Sequence, residues 1–344
     1  MDVDGRLTLK IGLLGPVAWR TPPRHYGPWE QVTSLIAEGL VARGVDVTLF
    51  ATLDSQTAAT LDGVCVKGYA EDATMDGRVW EALHVAHALA RSGDFDLVHN
   101  HLDWLPLAFA AHVKATLVTT IHGFSGRGIL PAYVNARVSS YVSISDADRA
   151  PELDYVATVH HGIDLEALPF SAVAGPDLVA FGRIHPDKGT AQAIAIARRA
   201  GRRLVLCGIV QDAAYFREQV EPHIDGDRVT YLGSVGPERR AAVLGSAAVL
   251  LHPIAFDEPF GLSVVEAMAC GTPVITYPRG AMPEVVDEGV TGFLVDGIAS
   301  AAAAVNVAAA LDRGAIRRVA QHRFGAARMV DDYLAVYERV IAAR

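Results

Sequence analysis

Residues 7–14, Leu-Thr-Leu-Lys-Ile-Gly-Leu-Leu, form an apolar strand-like run that stops at Gly15-Pro16. A loop rich in Pro, Arg and aromatic residues follows. Residues 30–43 then carry Val32, Leu35, Ile36 and Leu40 at helical spacing. Gly44 closes that helix, and residues 45–50, Val-Asp-Val-Thr-Leu-Phe, read as a second strand. A strand–helix–strand unit places its two strands in parallel, with the helix packed back on the sheet. That unit commits the chain to an α/β fold.

The alternation continues. Residues 79–90 read as a helix, and 96–99, 116–121, 141–145 and 157–160 as strands. Polar or glycine-bearing residues follow the strand ends: His101 and Trp104, His122-Gly123, and His161-Gly162-Ile163-Asp164. In open parallel sheets that edge is where ligands bind. Between residues 165 and 177 the text turns to Pro169, Ser171, Gly175 and Pro176, a linker composition. A second series follows, with strands at 178–181, 203–207, 229–232 and 249–252 and helices at 190–199 and 213–220. The expected architecture is two doubly wound Rossmann-like domains, 1–168 and 169–325, facing each other across a ligand cleft. A final helix over 327–343 carries Met329, Tyr333, Val336, Tyr337 and Val340 at packing positions.

Composition removes several function classes. A length of 344 residues suffices for two domains with their own cores. A formal charge of −9 argues against a broad nucleic-acid surface. The pairs Arg239-Arg240 and Arg317-Arg318 read as solvated helix faces. Cys65, Cys207 and Cys270 are isolated and lack zinc-type spacing, which fits a reducing cytoplasm. The acidic start, Met1-Asp-Val-Asp-Gly-Arg, lacks the cationic region of a signal peptide. No apolar run reaches the roughly 20 residues of a membrane helix. The expectation is a soluble cytoplasmic protein.

The most chemically loaded stretch is 257–274, Asp-Glu-Pro-Phe-Gly-Leu-Ser-Val-Val-Glu-Ala-Met-Ala-Cys-Gly-Thr-Pro-Val. Glu258 precedes a helix that begins after Gly261, and Glu266 lies within its first turns. A helix start presents unpaired N–H groups to an anion, so acids on either side of a bound phosphate would meet hydroxyls. Hexose, pyrophosphate and ribose have that layout. Ser263-Val-Val-Glu266 also fits a capping box, in which Glu266 serves only its own helix. Gly182-Arg183-Ile-His-Pro-Asp-Lys188-Gly189 follows a strand and precedes a helix, so Arg183 and Lys188 both face the ligand edge. An arginine fork and a lysine charge would stabilise a leaving diphosphate. His122 follows a strand of the first half. His99-Asn-His101 suggests a metal, but no carboxylate or cysteine cluster accompanies it. The Asp-x-Asp triplets at 2–4, 94–96, 146–148 and 225–227 lie in turn-like contexts and read as chance. Neither a Gly-x-Gly-x-x-Gly nor a Gly-Lys-Ser/Thr phosphate loop is present.

Taken in order, these residues resemble glycosyltransferase family 4, retaining enzymes of the GT-B fold. The likeness runs through Tyr26-Gly27-Pro28-Trp29-Glu30, Thr120-Ile-His-Gly123, His161-Gly-Ile-Asp164, Gly182-Arg183 with Lys188-Gly189, Glu258 to Pro273, Gly280-Ala-Met-Pro-Glu284 and Thr291-Gly-Phe-Leu-Val295. It implies that Arg183 and Lys188 bind the donor pyrophosphate, Glu266 the ribose and Glu258 the transferred sugar. Pro259, Phe260, Gly261 and Leu262 would contact sugar and phosphate, and His122 would sit near the sugar. Gly15 and the following loop would approach phosphate and acceptor. It further implies domain closure, a C-terminal helix (326–344) crossing back to the first domain, and front-face displacement without a metal or other cofactor. Against this background the capping box loses weight, with Ser263 still expected to cap the helix.

One departure concerns Gly27-Pro28, where many relatives carry Gly-Gly. Proline lacks an N–H, which leaves Gly27 as the phosphate contact. Arg20, Arg24, His25, Tyr26 and Arg149 are candidates for an acceptor pocket, the cations favouring an anionic acceptor. Residues 52–91 have only Lys67, Arg78 and Arg91 as cations, so a soluble small-molecule or saccharide acceptor is favoured over a lipid. The expected reaction is hexose transfer from a UDP- or GDP-sugar to a hydroxyl. The alternatives are a sugar-nucleotide epimerase of the same architecture and a non-catalytic sugar-nucleotide-binding protein.

Overall fold

The computed structural model describes residues 9–123 and 128–343. The start of the first expected strand and the acidic triplet at 2–4 lie outside the described residues. The chain divides into two units: residues 1–162 with 326–344, and residues 163–325.

Unit 1 holds seven parallel strands: β1 (Lys10–Leu14), β2 (Asp46–Phe50), β3 (Thr60–Asp62), β4 (Leu97–Asn100), β5 (Thr116–Ile121), β6 (Ser139–Ser143) and β7 (Tyr155–Thr158). Their order is β3-β2-β1-β4-β5-β6-β7. The direction of winding reverses between β1 and β4, where Leu13 pairs with His99 and Leu14 with Asn100. Ile11, Leu13 and Leu14 have no exposure, as a strand covered on both faces requires. β3 lies in a stretch without strand-like alternation and extends the sheet through its pairing with β2.

The helix Ala326–Ala342 belongs to unit 1 and buries Met329, Val330, Tyr333, Val336, Tyr337 and Val340. It packs on the helix Pro28–Val41, where a Cβ on Gly39 would lie 2.5 Å from Val330 Cγ2. The Tyr333 hydroxyl lies 2.9 Å from Thr120 Oγ1 on β5.

Unit 2 holds six parallel strands: β8 (Leu178–Phe181), β9 (Leu204–Cys207), β10 (Val229–Tyr231), β11 (Val249–His252), β12 (Val274–Thr276) and β13 (Gly292–Leu294). The order is β10-β9-β8-β11-β12-β13, so winding reverses between β8 and β11. Unit 2 begins at Ile163 rather than at residue 169. The Ile163 N–H donates to the Phe324 carbonyl at 2.8 Å, which ties the linker's first residue to the end of the helix Arg313–Phe324. Arg317, on that helix, donates to the carbonyls of Leu165, Leu168 and Ala269. The helix expected over 213–220 is one α-turn, Ala213–Tyr215, followed by a wider turn at Phe216–Val220. Pro222 then supplies no N–H to continue it.

Gly189 sets the turn after β8. Its φ is 68°, and a Cβ there would lie 1.9 Å from the Pro253 carbonyl oxygen. Gly201 has a similar φ of 67° with open space around it. Gly201→Ala should therefore cost only backbone strain, about 1–2 kcal/mol. Gly189→Ala adds a clash with backbone and should lower the urea midpoint of unit 2 further. Equal midpoints for the two variants would contradict this packing.

Candidate active site

In unit 2 the switch between β8 and β11 places two loops side by side. The chain leaves β8 through Gly182-Arg183, makes a tight turn at Pro186–Lys188, and enters the helix Thr190–Arg199 after Gly189. From β11 it leaves at His252 and reaches Glu258, Gly261 and the helix Leu262–Ala269. Lys188 Nζ is ion-paired with Glu258 Oε2 and lies 4.6 Å from the centre of the Phe256 ring. His252 Nε2 stands 3.4 Å from the same carboxylate oxygen. Burial acts to raise the Glu258 pKa, but His252 and Lys188 outweigh it and bring it down to about 2. Glu258 is therefore a buried, fully ionised carboxylate. Among the described residues Lys188 and His252 both face Oε2, which leaves Oε1 to accept from a ligand hydroxyl.

The backbone holds Glu258 as firmly. Gly280 has φ 55°, and a Cβ there would come within 2.3 Å of the Glu258 carbonyl oxygen and 2.4 Å of its nitrogen. Ala281 N–H donates to that carbonyl at 2.8 Å. Gly261, in the left-handed region at φ 92°, starts the helix, and among the described residues no side chain caps it. The cap expected from Ser263 is not made, nor is the alternative capping box. Ser263 lies inside the helix, and Glu266 turns instead to Arg240, whose Nη1 donates to Glu266 Oε1 at 2.8 Å. Burial raises the Glu266 pKa, and Arg240 opposes that rise. Arg240 itself packs over Phe181 at 5.4 Å and does not lie on the solvated face that the sequence suggested. Arg183 Nη1 donates to Gln211 Oε1. Phe260 is buried against Phe324, with ring centres 5.8 Å apart, and Pro259 and Leu262 are half-buried. Arg183, Lys188, Glu258, Gly261 and Glu266 thus share one edge of one unit. Sequence reasoning missed Arg240, His252 and Gln211. His252 was legible as the residue ending a strand at that edge, but Arg240 was hidden in an arginine pair.

In unit 1 His122 is the middle of a buried chain of imidazoles. Its Nε2 lies 2.8 Å from His101 Nδ1, and its Nδ1 lies 3.2 Å from His161 Nε2. His101 Nε2 continues to His99 Nδ1 at 3.1 Å, and His99 Nε2 reaches Thr120 Oγ1 at 2.8 Å. Trp29 stacks on His122, with ring centres 5.4 Å apart. Both ring nitrogens of His122 are thus engaged, and its face is covered. The Gly15 N–H donates to Phe50 O at 3.0 Å, and its carbonyl meets His84 Nε2 at 3.0 Å, so one backbone group serves the sheet and the other the helix Gly77–Ala90. Gly27 has φ 150° and crowds Glu30, whose pKa burial raises to about 7. Among the candidate acceptor residues, Arg24 is exposed and paired with Asp54 and Glu71. Arg149 is paired with Asp146 and packed over Tyr155. Arg20 Nε donates to the Pro22 carbonyl, a neutral partner, and Tyr26 lies edge-on to Trp19. His25 is exposed. Among the described residues no group of three or more His, Cys, Asp or Glu is arranged to hold a metal ion. No described helix is long and apolar enough to cross a membrane.

Comparison with known proteins decides the family. A model described as Glycosyltransferase Family 4 matches residues 30–167, and one described as Glycosyl transferases group 1 matches residues 172–325. D-inositol 3-phosphate glycosyltransferase of Mycolicibacterium smegmatis is 31% identical over 313 residues, covering 75% of this chain and 70% of its own. The chain belongs to glycosyltransferase family 4. It is a glycosyltransferase with two Rossmann-like domains of the GT-B type. Among solved structures, a glycosyltransferase involved in avilamycin A biosynthesis has a TM-score of 0.75 and 26% identity, covering 98% of this chain and 99% of its own. Anabaena HepE, solved in complex with UDP-glucose, has a TM-score of 0.71 and 19% identity, covering 96% of this chain and all of its own (100%), and so shares the fold.

The buried imidazoles make the stability of this glycosyltransferase depend on pH. Burial lowers the pKa of His84 to about 4 and of His122 to about 3, and puts His99, His101 and His161 well below the ordinary 6.5. Below 6.5 the unfolded chain binds protons at these sites and the folded one does not. Stability therefore falls as pH drops, by about 1.4 kcal/mol per pH unit for each such group. Glu30, protonated in the folded state up to about 7, opposes this with one group. The urea midpoint of unit 1 should drop steeply from pH 6.5 to 5. A flat profile would mean that these histidines are solvated.

Proposed function

We propose that the chain transfers a hexose, of glucose or mannose type, from a UDP- or GDP-sugar to a hydroxyl of a soluble small-molecule or saccharide acceptor, with retention at the anomeric carbon. The observation that carries this reading is the ionised Glu258, fixed beside Lys188 and just ahead of a glycine-led helix start. A buried carboxylate that must stay charged is suited to accept hydrogen bonds from sugar hydroxyls through its second oxygen. The N–H groups at Gly261 and Leu262, with Arg183 and Lys188, supply the positive field a diphosphate needs. Glu266, farther into the helix, is placed to take ribose hydroxyls. The UDP-glucose bound by the Anabaena protein makes that donor the first to try.

In the proposed reaction the bond from the anomeric carbon to the β-phosphate oxygen breaks, and its electron pair stays on the phosphate. The acceptor oxygen attacks from the same face and gives its proton to that leaving oxygen. Arg183 and Lys188 stabilise the charge as it builds. Lys188 then shares its charge between Glu258 and the diphosphate, which couples donor binding to the placement of Glu258. Pro259 and Phe260 fix the loop carrying Glu258. His122 enters as packing behind the acceptor-side surface of unit 1, with Gly15 and Gly27 shaping its loop. Of the acceptor candidates Arg20, Arg24, His25, Tyr26 and Arg149, Arg20 would meet an anionic acceptor most readily, because among the described residues no carboxylate pairs with it. The relative's inositol phosphate substrate name is consistent with that choice.

Glu258→Gln should cut transfer by about 10²–10³-fold, the scale of losing one placed electrostatic group. It should change UDP affinity by less than about threefold. Unchanged turnover would reject the assignment. The two cations replace the divalent ion in the proposed chemistry. Activity should therefore survive exhaustive treatment with EDTA, and loss restored only by Mg²⁺ would overturn the metal-free step.

A further inference from the structure

Arg240 lies on the helix Pro237–Ser246, away from every motif that points to the donor site, yet it reaches one of the two acids of that site. Its Nη1 donates to Glu266 Oε1 at 2.8 Å, and its guanidinium carbon sits 5.4 Å from the centre of the Phe181 ring, the last residue of β8. The pair is largely withdrawn from water: the Glu266 side chain is 13% exposed and that of Arg240 23%. Three segments of unit 2 therefore meet at this guanidinium: the strand that leads to Arg183, the helix that carries Arg240 and the helix that carries Glu266.

A glutamate inside a helix has several rotatable bonds, and a buried one without a cation tends to take up a proton. A protonated or rotated Glu266 would be a poor acceptor for two neighbouring hydroxyls. The arginine removes both problems. It opposes protonation of the carboxylate, and by occupying Oε1 it fixes the plane and direction of Oε2. Stacking on Phe181 in turn fixes the guanidinium, and lysine lacks the planar group for that contact.

We propose that Arg240 is a positioning residue for nucleotide recognition: it orients Glu266 so that the second carboxylate oxygen accepts from the ribose hydroxyls of the donor. This deepens the donor-site reading and rests on it.

The test is ribose discrimination in the full chain. Calorimetric titration compares UDP with 2′-deoxy-UDP, and GDP with 2′-deoxy-GDP, using whichever ribonucleotide binds the wild type. Wild type should prefer the ribonucleotide by about tenfold or more, as expected when a hydrogen bond to a charged group is lost. Arg240→Met keeps length and apolar contact with Phe181 while removing the charge. It should bind the two nucleotides within about twofold of each other, at a melting temperature that still reports a folded protein. Glu266→Gln and the double variant Arg240→Met/Glu266→Gln should show the same lost preference, without a further step in the double variant. Arg240→Lys should recover part of the preference. If wild type binds no nucleotide, or binds without preference, the donor-site reading fails and this inference with it. If wild type discriminates and Arg240→Met keeps the wild-type ratio, the donor site stands and the role of Arg240 is overturned. Should Arg240→Met fail to fold, the double variant leaves no lone buried charge and decides the matter: a wild-type ratio there also overturns the proposal.

Discussion

A buried carboxylate that stays ionised needs a cation close by, because an unpaired charge in such a place costs several kcal/mol. Glu258 meets that requirement through Lys188, with the His252 ring 3.4 Å from the same carboxylate oxygen. Much of unit 2 follows from the pairing. Lys188 can reach Glu258 only if the turn after β8 folds tightly against the loop after β11, and Gly189 permits this by pressing on the Pro253 carbonyl. Gly280 closes from the other side, against the Glu258 backbone. The charged pair and two close backbone approaches bring the two loops at the winding reversal to one place. That is the place where open parallel sheets bind ligands.

Unit 1 solves a different problem. Its corresponding edge, past β4 and β5, is filled with imidazoles in contact with one another. A run of ring nitrogens from His161 to His99 ends on hydroxyls: Thr120 on one side and Tyr337, whose oxygen lies 2.7 Å from His99 Nδ1, on another. His101 and His122 each have one contact on either ring nitrogen, so as neutral rings they can donate once and accept once without any net charge. The helix Ala326–Ala342 supplies Tyr333 and Tyr337 to this network, so the C-terminal helix completes the polar interior of unit 1 as well as its apolar core.

The sheets were legible because hydrophobic runs bounded by glycine carry their own period. β5, β8 and β11 have the limits that the pattern implied. Short β3 was not legible, since three residues on a sheet edge need no alternation. The site was half legible. Arg183, Lys188, Glu258, Gly261 and Glu266 sit in local signals, a turn after a strand and a glycine before a helix. Their partners were hidden, because ion pairs between segments leave no periodic trace. Arg240 looked like one of two surface arginines, and Ser263 looked like a cap because Ser-x-x-Glu is a local pattern. The pull of Arg240 on Glu266 is tertiary and overrides it. The histidines read as isolated strand-end residues, since only parallel register brings positions 99, 101, 122 and 161 together.

The most direct test is a crystal structure of the chain with the nucleotide sugar it binds, UDP-glucose being the first to try. The account predicts sugar hydroxyls within hydrogen-bond distance of Glu258 Oε1, ribose hydroxyls on Glu266 Oε2, and the diphosphate on Arg183, Lys188 and the helix start at Gly261. A nucleotide sugar bound in one defined pose with neither acid touching it would contradict the account.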